Sequence, residues 1–214
     1  MKNWFAGSIL LGIWLLAGCT QDVSVYSQSD ITIEGAYSTR VPGKWALYVD
    51  TTKLPNSEDE DETFCPSYTW NMDVGPALQA TVAQNFEKLA DSVVVLDHAP
   101  TANELRSGHF TGVIVIYADT LHVQISTKRE LSSAMAVVAA DMRARLHVFG
   151  RRGPLFDESV GGSGQGVSSA GVVCENNAAA IEPAIEASMR ALVRDLGSQF
   201  LSAPELRNIP LDTD

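Results

Sequence analysis

The sequence predicts one domain of the α/β (α+β) class, a mixed β-sheet with two amphipathic helices packed on one face. Three patterns lead there. Ile181, Ile185, Met189, Leu192, Leu196 and Phe200 recur at helical spacing and draw one apolar stripe along a helix over residues 176–201. Leu78, Val82, Phe86 and Leu89 draw a second stripe over residues 75–90. Between them, Ala136, Val138, Ala140, Met142, Ala144, Leu146 and Val148 alternate with Asp141, Arg143, Arg145 and His147, which is the period of a strand with one face buried.

Taken in chain order, residues 31–37 and 45–50 are short runs rich in β-branched and aromatic side chains, and Val41-Pro42-Gly43 between them predicts a turn. Residues 55–62 hold Glu58-Asp59-Glu60-Asp61-Glu62, adjacent like charges that repel one another and belong in a solvated loop. Calcium loops space their carboxylates at alternate positions around a glycine, which this run does not do. Residues 68–74 form the next expected strand, and Pro76 suits the first turn of the helix that follows. Val93-Val94-Val95-Leu96 is an unbroken apolar run, expected as a strand buried on both faces. Residues 109–118 and 121–126 are expected as a strand pair. The run 133–149 also fits a helical stripe through Leu131, Met135, Val138, Met142 and Leu146, but only a strand accounts for its polar positions too. Arg151-Arg152-Gly153 then predicts a turn into a strand over 155–160, and the glycine run from Gly161 to Gly166 a flexible strand end and loop. Pro183 is tolerated only near a helix start, so regular helix begins a few residues into the last element.

Composition narrows the chemistry. The 214 residues carry 15 Lys and Arg against 26 Asp and Glu, a net charge of −11, which repels nucleic acid and excludes phosphate-backbone binding. The length suits a single domain with a real core. The glycine run lacks the Gly-Lys-Ser/Thr of a Walker loop, the dinucleotide fingerprint, and a nucleophile elbow followed by acid and histidine in hydrolase order. His98, His109, His122 and His147 are scattered outside any HExxH or Cys-x-x-Cys setting. No catalytic residue, metal ligand or cofactor is nominated, and the expectation is a non-enzyme.

The start of the chain has three zones: Lys2 supplies a positive charge, residues 4–16 are almost wholly apolar, and Ala17-Gly18 places small residues before Cys19. That is the layout of an export signal. Its apolar stretch of about 13 residues falls short of the roughly 20 that cross about 30 Å of hydrocarbon. Leu16-Ala17-Gly18-Cys19 resembles the lipobox of bacterial lipoproteins. The resemblance implies removal of the signal, residues 1–18, by cleavage between Gly18 and Cys19, and acylation of Cys19. Each buried acyl CH₂ contributes about 0.8 kcal/mol, so several chains make a stable membrane anchor. Residue 20 is Thr, not the Asp that in enteric bacteria marks inner-membrane retention, so the implied place is the outer membrane, facing the periplasm. Residues 19–30 are polar and aperiodic, as in a flexible tether; residues 31–203 form the domain, and 204–214 a loose tail. Cys65 and Cys174 remain as an even pair in an oxidising compartment and are the candidate disulfide, provided the helices they precede start at the same end of one sheet face. Two separate buried thiols are the alternative.

Behind this lipobox, the element order is similar to the compact α/β domain of several outer-membrane lipoproteins: the YajG-like and ABC-auxiliary lipoproteins, the periplasmic domain of the curli secretion protein CsgG, the Pel exopolysaccharide lipoprotein PelC, and the peptidoglycan-synthase activator LpoB. The similarity covers residues 45–201 and rests on element order, the Val-rich strand after the first helix, and the strand pair before the terminal helix. It implies a non-catalytic scaffold or accessory of an envelope assembly, secretion or transport machine, docked on an envelope protein or on further copies of itself. A periplasmic ligand- or glycan-binding lipoprotein is the alternative, suggested by Tyr68, Trp70 and Trp45 beside loops, although aromatics in strands more often belong to the core. An envelope hydrolase would need an acid, a base and a nucleophile converging in one cleft.

Overall fold

The alternation through Ala136 and Val148 is realised as one unbroken strand in a computed structural model of the chain, in which residues 19–26, 31, 40–55, 57–59, 68–129, 134–169 and 176–207 are described. In order, the elements are β1 (Cys19–Val23), β2 (Val41–Asp50), β3 (Ser57–Asp59), β4 (Tyr68–Met72), α1 (Val74–Phe86), β5 (Ala90–Leu96), α2 (Ala102–Ser107), β6 (Gly112–Arg129), β7 (Ala134–Gly150), β8 (Gly153–Ser169), α3 (Ala178–Ser202) and α4 (Pro204–Arg207). A five-stranded mixed sheet runs in the order β5-β2-β6-β7-β8; its β5-β2-β6 part is parallel and its β6-β7-β8 part antiparallel. A smaller sheet, β1-β4-β3, pairs β1 parallel and β3 antiparallel to β4. Val23, Trp70 and Met72 carry it into the same apolar core as the larger sheet.

That core forms where the helical stripes meet the buried face of the sheet. Every even-numbered residue of β7 from Ala136 to Val148 is buried, while Asp141, Arg143 and Arg145 are exposed on the other side. Helix α1 buries Leu78, Val82 and Phe86, and α3 buries Ile181, Ile185, Met189, Leu192, Leu196 and Phe200. Such a side chain contributes about 1.5–3 kcal/mol when fully buried. Phe200 meets Trp45 of β2 edge-on at 5.9 Å and Phe86 of α1 at 5.4 Å, so one ring joins both helices to the sheet. Pro183 lies in the second turn of α3, close to the helix start as its geometry demands.

The glycine run is the first departure from expectation. It is neither a loop nor a strand end, but the middle of β8. Gly162, Gly164 and Gly166 share the face that lies against α3, where a Cβ would overlap the backbone oxygens of Ser188, Ala184 and Ala180 respectively. Glycine is required there because two backbones touch, and Ala180, Ala184 and Ser188 continue the contact at one-turn spacing along the helix. The Ser188 hydroxyl donates back to Ile185 O at 2.9 Å, which keeps it off the strand.

Other elements differ for equally local reasons. Val41-Pro42-Gly43 belongs to β2 and forms an irregularity in it rather than a turn; Gly43 takes φ +95°, and the pairing with β5 shifts between Val41 and Lys44. Residues 109–118 and 121–126 are not a strand pair: from Gly112 on, both belong to the single strand β6, whose register shifts between Ala118 and Thr120. The apolar run in β5 is not buried on both faces: β5 is an edge of the sheet among the described residues, and Val95 is 49% exposed. Within the acidic stretch, Ser57–Asp59 pairs with β4. The segment expected as a tether is a strand through Val23, which is buried. The tail is held as far as Arg207 by α4 and the buried Leu206. Of the strand expected over residues 31–37, only Ile31 lies within the described residues.

Gly164→Ala is expected to destabilise the fold by about 3 kcal/mol or more, the upper range for overpacking. At Gly161, on the other face, a Cβ meets nothing closer than 3.5 Å. Gly161→Ala should therefore stay within about 1 kcal/mol of the parent. Denaturant midpoints of the two variants check this contrast.

Candidate functional site

On the sheet face opposite α1 and α3, one short segment provides partial cover. Thr101-x-x-Glu104 is a capping box that starts α2: Glu104 N donates to Thr101 Oγ1 at 3.3 Å, and Thr101 N donates to Glu104 Oε2 at 2.8 Å. The other oxygen of Glu104 lies 2.9 Å from His98 Nε2, and His98 Nδ1 lies 2.6 Å from Asp97. The Thr101 backbone N–H, helped by His98 and the Thr101 hydroxyl, lowers the Glu104 carboxyl to about 2. Hydrogen bonds to Asp97 and Glu104 raise His98, and the bond to His98 lowers Asp97.

Two cations clamp the far end of this segment to the sheet. Lys44 Nζ donates to Gly108 O at 3.1 Å and stands 4.7 Å from the centre of the Phe110 ring. Arg151 Nε donates to Phe110 O at 3.0 Å. Phe110 is buried with Ala46, Val113 and Val115 in a second, smaller apolar cluster. A Cβ at Gly108 would overlap the Phe110 ring, so the glycine serves that contact, and the neighbouring His109 takes the left-handed φ of 52°.

Between this segment and the sheet lies a cleft of about 980 Å³. Val113, Val115, Tyr117 and Phe149 line it from the strands, Pro100 and Leu105 from the α2 side, and Arg106, His109 and Arg151 supply its basic side chains. Tyr117 is 38% and Phe149 36% exposed. His147 stands between them, edge-to-face with Tyr117 at 5.4 Å and nearly parallel to Phe149 at 6.2 Å, with Nδ1 3.2 Å from Asp157.

The residues singled out from sequence fall elsewhere. Cys19 is the first residue of β1, opposite Tyr68 in register; Gly18, Cys65 and Cys174 lie outside the described residues. Trp45 and Trp70 are both fully buried, so they belong to the core and form no ligand platform. The rings exposed at the cleft are Tyr117 and Phe149 instead. Their signal was present in the alternation: after Arg143, Arg145 and His147, the next position of the outward phase of β7 is a phenylalanine. Among the described residues, no three His, Cys, Asp or Glu side chains come together as a metal-binding group, and Asp97 and Glu104 bind opposite nitrogens of the His98 ring. Among the described residues, no helix is long and apolar enough to cross a membrane.

No family model matches this chain, and no characterised protein matches it by sequence. The solved structures that this chain resembles do so at TM-scores below 0.5, and some of them are lipoproteins. A putative neuraminyllactose-binding hemagglutinin homolog from Helicobacter pylori matches with a TM-score of 0.44 and 10% identity, covering 83% of this chain and 90% of its own. The PelC dodecamer from Paraburkholderia phytofirmans gives 0.30 and 14%, over 77% and 89%. A minor lipoprotein from Acinetobacter baumannii gives 0.31 and 11%, over 77% and 89%. Likeness of this depth does not transfer function.

The cap on α2 has a defined pH window. His98 is raised above its ordinary 6.5, so its contribution is complete below 6.5 and is lost as pH rises through the raised value. Glu104 is lowered from 4.5, so its contribution is complete above 4.5 and is lost as pH falls toward about 2. Protection of the α2 amides, corrected for intrinsic exchange, should therefore be highest between 4.5 and 6.5 and decline above. In an NMR titration, Glu104→Gln is expected to bring the His98 midpoint down.

Proposed function

We propose that this chain is a lipid-anchored envelope lipoprotein that works without catalysis, as an accessory that docks onto a partner protein of an assembly, secretion or transport machine. One-sided packing carries this reading. Helices α1 and α3 both lie on one face of the large sheet, and beyond the α2 segment no element covers the opposite face of β6, β7 and β8 among the described residues. Apolar side chains stand on that open face: Met135 is 38% and Val167 55% exposed, and Val137 pairs with Val167 beside them. Contiguous exposed apolar surface on a folded domain marks an interaction site.

The lipobox supports anchoring through Cys19, and Thr20 supports the outer membrane, with the domain facing the periplasm. Since β1 begins at Cys19, an acyl anchor on that residue joins the sheet directly.

Radiolabelled palmitate should mark the wild type and fail on Cys19→Ala; equal labelling of both removes the anchor from this reading. A photo-crosslinking residue at Val167 or Met135 in living cells should give one discrete adduct, and the same residue at the exposed Arg194 of α3 none. An adduct of twice the monomer mass would identify the partner as a second copy. Diffuse or equal adducts at all three positions would overturn docking by the open face.

A further inference from the structure

In a chain with 26 acidic and 15 basic residues, Arg106, His109 and Arg151 are the acid–base side chains besides Tyr117 that line the α2 cleft among the described residues, and all three are basic. Among the described residues no carboxylate lines it, and most of the remaining lining is hydrocarbon and aromatic ring. Cations grouped on one part of an acidic surface select an anion. An apolar floor beside them selects a ligand with an apolar body.

We propose that the cleft binds a single-chain amphiphile with an acidic head. The chain lies along Val113, Val115 and Phe149, with Leu105 against it, and a carboxylate or phosphate head meets Arg106, His109 and Arg151. From Val113 to Tyr117 the floor runs four residue steps along β6, about 13 Å at strand rise, which is within reach of a dodecyl chain. The volume of about 980 Å³ admits such a chain with its head. The head-group residues are held in place: the bond from Arg151 Nε to Phe110 O fixes that guanidinium at the cleft, and the left-handed backbone at His109 turns the chain there. A non-glycine residue held at positive φ is a feature that clusters at ligand sites. This site does not rest on the docking reading, because Met135 and Val167 do not line it.

The test uses native membranes holding the full-length protein and three photoreactive probes: diazirine-bearing dodecanoate, dodecyl phosphate and dodecyl maltoside. Dodecanoate, dodecyl phosphate or both should label peptides within residues 99–117 and 149–153, with competition by unlabelled dodecanoate, and the stronger of the two identifies the head as carboxylate or phosphate. Dodecyl maltoside, with the same chain and a neutral head, should label these peptides at least roughly tenfold less, the scale of a charge-assisted contact. Arg106→Glu, on the exposed end of α2, should reduce acidic-probe labelling by a similar factor, as should Phe149→Ser at a site already part-exposed. Val167→Asp should leave labelling unchanged while it removes the docking adduct. Equal labelling by the maltoside, or undiminished labelling in Arg106→Glu, would overturn the proposal.

Discussion

At Gly162, Gly164 and Gly166 the backbone of β8 runs beneath α3 with no side chain between them, and Ala180, Ala184 and Ser188 present the matching positions of the helix. Glycine inside a strand is costly, about 0.5–1 kcal/mol relative to alanine, because it gives up the most backbone freedom on folding. The close approach offsets that cost by lowering α3 onto the sheet until its apolar stripe is fully covered. From Ile181 to Phe200, each stripe position has no exposed surface. Seating α3 at this depth also sets where Phe200 lies, and Phe200 in turn fills the space between Trp45 and Phe86. The packing of α1 and the placement of β2 therefore follow from a contact at the other end of the sheet.

The same contact explains why the second face of the sheet is available. With both long helices on one side, the short α2 segment is the one element against the outward residues of β6, β7 and β8 among the described residues. That segment has only six helical residues and buries none of them, so it relies on connections to the body. Lys44 and Arg151 supply these from β2 and from the β7–β8 turn, and Phe110 fills the apolar gap between. The cleft exists because α2 is held near the sheet at its C-terminal end and not pressed onto it by an apolar stripe.

Periodicity made the largest parts of this fold legible. The two helices and β7 repeat one pattern over many residues, and alternation chose correctly between strand and helix for 133–149 because polar and apolar positions both had to fit. The glycine run was misread because glycine marks loops and close approaches alike. What separates the two is phase: Val160 and the three contact glycines keep the two-residue step, with Gly161, Ser163 and Gln165 between them. The run in β5 announces a strand, but an apolar run alone does not say whether the strand is central or an edge. Trp45 and Trp70 were placed beside loops by their sequence neighbours, although a large ring next to a loop is still most stable in the core. The cleft was hardest to foresee. Arg106, His109 and Arg151 meet only through the crossing of α2 over β6 and β7, and nothing in their sequence spacing encodes that crossing.

The start of β1 bears on all of these surfaces at once. A loose linker lets a domain wander from its anchor by roughly 5–6 Å × √n for n flexible residues. Here residues from Cys19 onward are paired with β4, and Val23 is packed into the common core. If Cys19 carries the proposed acyl chains, the anchor, the small sheet and the large sheet move as one body. The open face of β6–β8 and the α2 cleft then stay within a distance of the bilayer set by the fold, which a long tether would have widened. A docking face gains from this, since a partner in the same membrane meets it within a narrower range of positions and loses less translational freedom on binding.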